Sequence, residues 1–287
     1  MALPPSTALN PGTVIAGRFI LESHAGRGGM GSVFRARDQA TGQAVALKFM
    51  HPTESQDALR RFAREAELLA ELRHPGIVTY VAHGVSEGDQ PFLAMEWLEG
   101  ESLAQRLARQ PLDLAETLRM ARRIAESLAT AHQRGVIHRD LKPSNLFLRH
   151  GHAEDVVLLD FGLARRLEPS QLLTGDGALL GTPGYMAPEQ ASSSGALSPA
   201  TDVFSLGCVL YECLTGQPPF MAPGLAAVLA KILFAEPPPL DSVRKDLPAS
   251  WQRLMDGMLA KDPQRRLPDA GSLQLALSVL EEGMPGG

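Results

Sequence analysis

The run Val136-Ile-His-Arg-Asp140-Leu-Lys142-Pro-Ser-Asn145, with Asp160-Phe-Gly162 following fifteen positions after Asn145, constrains this chain more than any other feature. Asp140, Asn145 and Asp160 give three carboxylate or amide side chains. With Lys142 they lie on two loops that must meet in space to act together. Such a set holds metal-bound phosphates beside a hydroxyl nucleophile. It stands downstream of a glycine-rich turn and a strand lysine, the order that phosphoryl transfer from a nucleotide requires.

The chain has 287 residues, of which 44% are hydrophobic, enough for one large domain or two lobes with a sizeable core. A formal charge of -5 disfavours a general nucleic-acid binder, which needs a basic surface to displace counterions. No run of apolar residues is long enough to span a bilayer, and Arg18 is the first basic residue, so neither a membrane span nor a secretory signal is expected. Cys208 and Cys213, five apart on an apolar run, are expected to be reduced core residues, because free cysteine is readily buried. No metal-site spacing of cysteine or histidine appears. A reducing cytoplasm is the expected location.

Residues 1–16 and 283–287 read as loose tails rich in Pro, Ser, Thr and Gly. Between them the first eighty residues are strand-rich and the rest mostly helical. Strands are expected at Phe19–Leu21, Ser32–Arg37 and Ala44–Met50, with a Thr41-Gly42 turn before the third. A helix follows from Asp57 to Arg73 with Ser55 as its cap, then a strand pair at Val78–Gly84 and Phe92–Glu96. Leu114, Leu118, Ala121, Ile124, Leu128 and Ala131 mark an amphipathic helix that Gly135 stops. Val203–Leu214 is apolar nearly all round and carries Glu212, which suits a helix inside a helical core. Further helical patterns lie at Trp251–Leu259 and Ala270–Leu280. The fold class is α+β: a small β-rich lobe at 17–95, a hinge at 96–100 and a larger α lobe at 101–282.

Gly26-Arg27-Gly28-Gly29-Met30-Gly31-Ser32-Val33 contains G-x-G-x-x-G. A dinucleotide fold uses the same spacing, but there a helix follows the glycines. Here Ser32–Arg37 alternates as a strand does, so the glycines form a flap whose backbone amides can lie against phosphate oxygens. A plain hairpin turn is the simpler alternative. Lys48 ends Val45-Ala-Leu-Lys. Glu65 shares a helix face with Phe62 and Leu69, and a carboxylate on that face needs a partner. Lys48 on the facing strand supplies one, with a simple rim salt bridge as the alternative.

Asp140 lies in a loop after the Gly135 stop, placed to accept a hydrogen bond from a substrate hydroxyl and take its proton late. Lys142 puts positive charge near the transferred group. The Asn145 carbonyl oxygen and the Asp160 carboxylate suit a hard cation such as Mg²⁺, with Asp160 closing the apolar strand Val156–Leu159.

These segments resemble the eukaryotic-type protein kinases, the bacterial serine/threonine kinases in particular. Gly181-Thr-Pro-Gly-Tyr-Met-Ala-Pro-Glu189, Asp202–Gly207 and Asp262-Pro-Gln-Arg-Arg266 extend the resemblance to about residues 17–280. It implies the bilobal protein kinase fold and transfer of the γ-phosphoryl group of ATP, with Mg²⁺ or alternatively Mn²⁺, to Ser or Thr hydroxyls of protein substrates. It further implies that Ala25 and Gly26 to Gly31 cover the nucleotide, with Ser32 beside them, and that Val33, Ala46 and Phe147 pack on the adenine. Lys48 would contact the phosphates and pair with Glu65. Glu96 and Leu98 would supply hinge backbone hydrogen bonds behind Met95 as the gate. Asp140 would be the base, and Asn145 and Asp160 the metal ligands. Glu189 would pair with Arg266, Asp202 would brace the loop of His138 and Arg139, and Leu69, Tyr80, Phe161 and His138 would stack as a column. Ala25 departs from the larger aliphatic residue usual there, which implies slightly poorer adenine packing.

Leu163–Met186 would be the activation loop, with Ser170, Thr174 and Thr182 as its hydroxyls. A phosphate on Thr174 would pair with Arg139, autophosphorylation supplying it, and Thr182 would touch Asp140 and Lys142. Bacterial relatives often pair through the β lobe. A chain ending without a sensor or membrane segment is consistent with the catalytic piece of a longer protein. A non-catalytic scaffold and a small-molecule phosphotransferase are the rival readings. Intact Lys48, Asp140, Asn145 and Asp160 argue against the first, and the peptide-docking segment Gly181–Glu189 against the second.

Overall fold

A computed structural model describes residues 9–28, 31–50, 56–161, 183–192 and 196–283. The chain divides into two compact units, Met1–Arg73 with Val78–Glu99, and His74–Ile77 with Gly100–Gly287.

The first unit is built on a six-stranded antiparallel sheet in the order β1-β2-β3-β4-β6-β5. Its strands are β1 (Val14–Ile15), β2 (Phe19–Gly28), β3 (Gly31–Asp38), β4 (Ala44–Met50), β5 (Tyr80–Val85) and β6 (Pro91–Glu96), with helix α1 (Gln56–Glu71) between β4 and β5. The period-2 alternation places Phe34, Ala36, Val45, Leu47, Phe49, Phe92 and Ala94 on one face, where they pack with Ile15, Phe19 and Leu21 into the core. Phe49 and Phe92 lie at the centre, with edge contacts from Phe34 to Phe49 (5.7 Å) and from Phe19 to Phe92 (6.0 Å). Asp38 closes the β3–β4 turn by accepting from both Arg18 nitrogens (2.8 Å each), the Ala40 amide and the Thr41 hydroxyl.

β2 is ten residues long, far beyond the expected Phe19–Leu21. Register shifts between Leu21 and Ser23 and between His24 and Gly26 explain the difference. Each shift inserts an extra residue, Glu22 and Ala25, and breaks the alternation that a strand pattern needs. In α1 the deepest residue is Ala66; Phe62, Glu65 and Leu69 are half-buried. The cap expected at Ser55 lies outside the described residues.

The second unit is mainly helical: α2 (Leu103–Leu107), α3 (Leu114–His132), α4 (Pro188–Ala191), α5 (Pro199–Thr215), α6 (Leu225–Phe234), α7 (Leu240–Val243), α8 (Ala249–Leu259) and α9 (Ala270–Glu282). Asp113 caps α3 in a reciprocal capping box with Glu116, which satisfies two helix-end donors. α5 is buried nearly all round, Cys208 and Cys213 included, and both thiols are unbridged. Gly207 permits the approach of α8, since a Cβ there would lie 2.9 Å from Leu259. A small antiparallel sheet, β7 (Gly100–Ser102), β8 (Leu146–Arg149) and β9 (Val156–Leu158), carries the loops of interest. Its strand β7 occupies the end of the stretch read from sequence as a connector.

Candidate active site

In the first unit, strand register gathers the expected nucleotide-binding residues on the face opposite the core. Val33 pairs with Lys48, Lys48 with Leu93, and Ala46 with Met95. Cross-strand partners point to the same side, so Val33, Ala46, Lys48 and Met95 share one surface. Lys48 is only 8% exposed. The β2–β3 hairpin turns at this edge, with Gly28 paired to Gly31; Gly29 and Met30 lie outside the described residues. Gly31 has a φ of 144°, and a Cβ there would stand 1.8 Å from the Phe49 carbonyl oxygen, so the backbone itself demands glycine. At Gly26 a Cβ would meet nothing within 4 Å. The fold has no steric need of glycine there, whereas a phosphate or adenine approaching the backbone would. Ala25 is exposed at the bulge. At the end of β6, the Glu96 amide donates to the Thr79 carbonyl (2.9 Å) and its carboxylate accepts from the Thr79 amide (2.8 Å), which fixes the chain where residues 96–98 begin.

In the second unit, the loop after α3 is held from beneath by Asp202 of α5, a fully buried carboxylate. Its Oδ2 accepts from the His138 amide (2.7 Å) and His132 Nε2 (2.9 Å), and its Oδ1 from the Arg139 amide (2.8 Å). These bonds hold Arg139 in the left-handed region at φ 66°, a conformation a non-glycine residue seldom adopts. His138 Nε2 donates to the Leu159 carbonyl (2.8 Å) and its Nδ1 accepts from the Asp140 amide (3.3 Å). That pattern fits a neutral imidazole, and burial lowers the His138 pKa accordingly.

On this platform the expected catalytic groups converge. Lys142 Nζ donates to Asp140 Oδ2 at 2.9 Å. Asn145 Nδ2 donates to Asp140 Oδ2 (3.0 Å) and to the Asp140 carbonyl (2.8 Å). The Asn145 amide nitrogen is thus committed to the loop, and its Oδ1 is the end offered to a cation. The Asn145 carbonyl accepts the Leu159 amide (2.9 Å), which ties the second loop to the first one residue before Asp160. Asp160 also lies in the left-handed region, at φ 52°. His138 and Phe161 stack with ring centroids 4.6 Å apart, half of the expected column; Leu69 and Tyr80 belong to the other unit. Phe147 is half-buried on β8, on the face opposite the buried Leu146 and Leu148. The oxygen-rich donor set of Asp140, Asn145 and Asp160 fits a hard divalent cation.

Glu189 and Arg266 form the expected buried pair, bidentate at 2.9 and 3.1 Å, with Thr201 also donating to Glu189 (2.9 Å). Burial raises the Glu189 pKa, but the hydrogen bonds and charge of Arg266 outweigh it and hold the carboxyl below its ordinary value. Sequence reasoning missed two supports of this site: His132 on Asp202, and Gln190, whose Nε2 donates to the Arg139 carbonyl (2.9 Å). Gln190 directly follows the quoted segment ending at Glu189, the one signal that could have found it. Gly162, Ser170, Thr174 and Thr182 lie outside the described residues.

The model of the protein kinase domain matches residues 19–276. The chain belongs to the protein kinase family. Serine/threonine-protein kinase pkn3 of Myxococcus xanthus is 35% identical over 288 residues, covering 97% of this chain and 52% of the relative. The DNA damage-responsive serine/threonine-protein kinase RqkA of Deinococcus radiodurans is 37% identical over 92% of this chain and 39% of its own length. The chain therefore spans only part of these relatives. Among solved structures, the kinase domain of Mycobacterium tuberculosis PknI aligns at a TM-score of 0.76 and 27% identity, covering 96% of this chain and 100% of that one. The fold is the bilobal protein kinase fold, a small β-rich lobe and a larger helical lobe, and the family uses ATP with a divalent metal. Among the described residues no helix is long and apolar enough to cross a membrane.

Proposed function

We propose that this kinase domain transfers the γ-phosphoryl group of ATP, taken as its magnesium complex, to serine and threonine hydroxyls of proteins. The observation that carries the reading is the cluster in which Lys142 and Asn145 both donate to Asp140 Oδ2, at 2.9 and 3.0 Å. That geometry keeps Asp140 ionised at the position where an acceptor hydroxyl would hydrogen-bond, and it puts the Lys142 charge next to the transferred group. Lys142 at this spacing favours serine and threonine over tyrosine. Asn145 and Asp160 would hold the metal, which supplies neutralisation of phosphate charge when bound. Lys48, paired with Glu65, would hold the α- and β-phosphates. Ala25, Gly26, Arg27, Gly28, Gly29, Met30, Gly31 and Ser32 would cover the nucleotide, with Val33, Ala46 and Phe147 on the adenine and Met95, Glu96 and Leu98 along its edge.

Regulation follows the same reading. Arg139 would receive a phosphate on Thr174, placed there by autophosphorylation, and Thr182 would contact Asp140 and Lys142. We assign residues 17–95 to the N-lobe, 96–100 to a hinge and 101–282 to the C-lobe, with a cytoplasmic location and pairing through the N-lobe. The test is transfer of labelled phosphate to a generic basic protein, with Asp140→Asn as control. Activity should fall by about 10²-fold or more in the control. Equal transfer by wild type and control would exclude Asp140 as the base. Labelling of small alcohols in preference to protein would point to a small-molecule phosphotransferase.

A further inference from the structure

Trp97 follows β6 by one residue and stands beyond the residues assigned above to adenine. The strand register explains what it does. Val33, Lys48 and Leu93 form one row across the nucleotide face, and Arg35, Ala46 and Met95 form the next. Arg37 pairs with Ala44, and continuing the β4–β6 register by one step sets Trp97 in that third row. Arg35 and Trp97 are therefore two strands apart, about 10 Å. The strand between them carries only Ala44 and Ala46 on this face, so a long side chain can cross it. Arg35 does so: its guanidinium carbon lies 5.6 Å from the centre of the Trp97 ring.

The guanidinium is also held from the opposite side. Glu22 is the extra residue of the first bulge in β2, and the bulge turns its carboxylate onto β3. Glu22 bonds Arg35 through one oxygen and Arg37 through the other, the latter at 2.6 Å. One chain of contacts thus joins the glycine-rich hairpin to the segment 96–98 along the rim of the nucleotide face.

We propose that Arg35, stacked on Trp97 and anchored by Glu22, is a positioning residue for the adenine end of the nucleotide, bracing the rim of the face that carries Val33, Ala46 and Met95. This rests on the reading that the face binds ATP. The brace acts where adenine sits rather than at the phosphates. Loss of it therefore weakens adenosine and MgATP by the same factor, whereas loss of Lys48 weakens only MgATP.

Calorimetric titration of wild type, Arg35→Met, Trp97→Ala, Trp97→Phe and the Arg35→Met/Trp97→Ala double variant, with adenosine and separately with MgATP, tests this. Arg35→Met and Trp97→Ala should each weaken both ligands about 3- to 10-fold. Trp97→Phe should keep most of the affinity, and the double variant should be no weaker than either single one. A lowered melting temperature with unchanged affinities, or losses that multiply in the double variant, would overturn the brace while leaving ATP binding in place. Wild-type protein that binds neither ligand would overturn the ATP reading itself.

Discussion

Asp202 Oδ2 lies 2.7 Å from the amide nitrogen of His138, on the residue that opens the catalytic loop. The same carboxylate serves the Arg139 amide and His132 Nε2. Asp202→Ala would leave three donors without their acceptor in a buried site, at a cost of about 3 kcal/mol or more. The melting temperature should fall on the order of 10 °C. Asp202→Asn keeps the shape and one acceptor oxygen and should fall between. Phosphoryl transfer should drop in both, since Arg139 loses the bonds that hold its left-handed backbone. An Asp202→Ala protein with wild-type melting and turnover would remove the bracing role.

Two glycines of the hairpin should respond oppositely to alanine. At Gly31 the new Cβ would overlap the Phe49 carbonyl, and the φ of 144° is closed to alanine. Gly31→Ala should cost about 2 kcal/mol or more by parting β3 from β4. At Gly26 the Cβ has open space. Gly26→Ala should melt as wild type does and bind ATP more weakly. Melting curves and nucleotide titration of the two variants decide the matter; a destabilised Gly26→Ala with normal ATP affinity would show that the glycine serves the fold alone.

The sequence was most legible where side-chain alternation was regular. Ala44–Met50 appears as read, and its register with β3 and β6 gathers Val33, Ala46, Lys48 and Met95 on one face. It was least legible where a local irregularity broke the period. The bulges at Glu22 and Ala25 hid most of β2. α6, Leu-Ala-Ala-Val-Leu-Ala-Lys-Ile-Leu-Phe, is apolar on every side, buries only Ile232 and offers no period to read. In the site, Asp140, Lys142 and Asn145 lie within six residues and were legible as a motif. His132 and Gln190 support that motif from 70 residues before Asp202 and 51 after Arg139, and no local pattern links such positions.

Metal dependence separates the proposed mechanism from direct transfer. Asn145 commits its amide nitrogen to Asp140, which leaves an oxygen for a cation beside Asp160. EDTA should stop transfer and added Mg²⁺ restore it. Asp160→Ala should lose about 100-fold or more in turnover. Asn145→Ala should raise the Mg²⁺ concentration needed for half-maximal rate. Undiminished transfer in EDTA would exclude the metal role of both residues.

The Glu189–Arg266 pair is a stability element whose two charges must be removed together. Arg266 is 4% exposed and also donates to the carbonyls of Ala200 (2.8 Å) and Ala260 (3.0 Å). Glu189→Ala would leave that guanidinium buried without its counter-ion, at a cost of about 3–5 kcal/mol. Urea unfolding should show a lower midpoint, and Glu189→Gln, which keeps acceptors but not charge, an intermediate one. A midpoint unchanged in Glu189→Ala would show that the carbonyls alone satisfy Arg266.

Asp38 gives the first unit a defined acid sensitivity. Hydrogen bonds from Arg18, joined by those from Ala40 and Thr41, hold its carboxyl at a pKa of about 2. An unfolded aspartate titrates near 3.9, roughly two units higher. The folded value is the lower one, so the contribution is complete above about pH 5 and is lost as pH falls through the folded pKa. At pH 7 the pair should be worth about 1–2 kcal/mol, since Arg18 is partly open to solvent. The difference in urea stability between wild type and Asp38→Asn should therefore shrink steadily as the pH is lowered from 5 toward 2. A difference that stays constant across that range would mean that the carboxylate charge does not hold the β3–β4 turn.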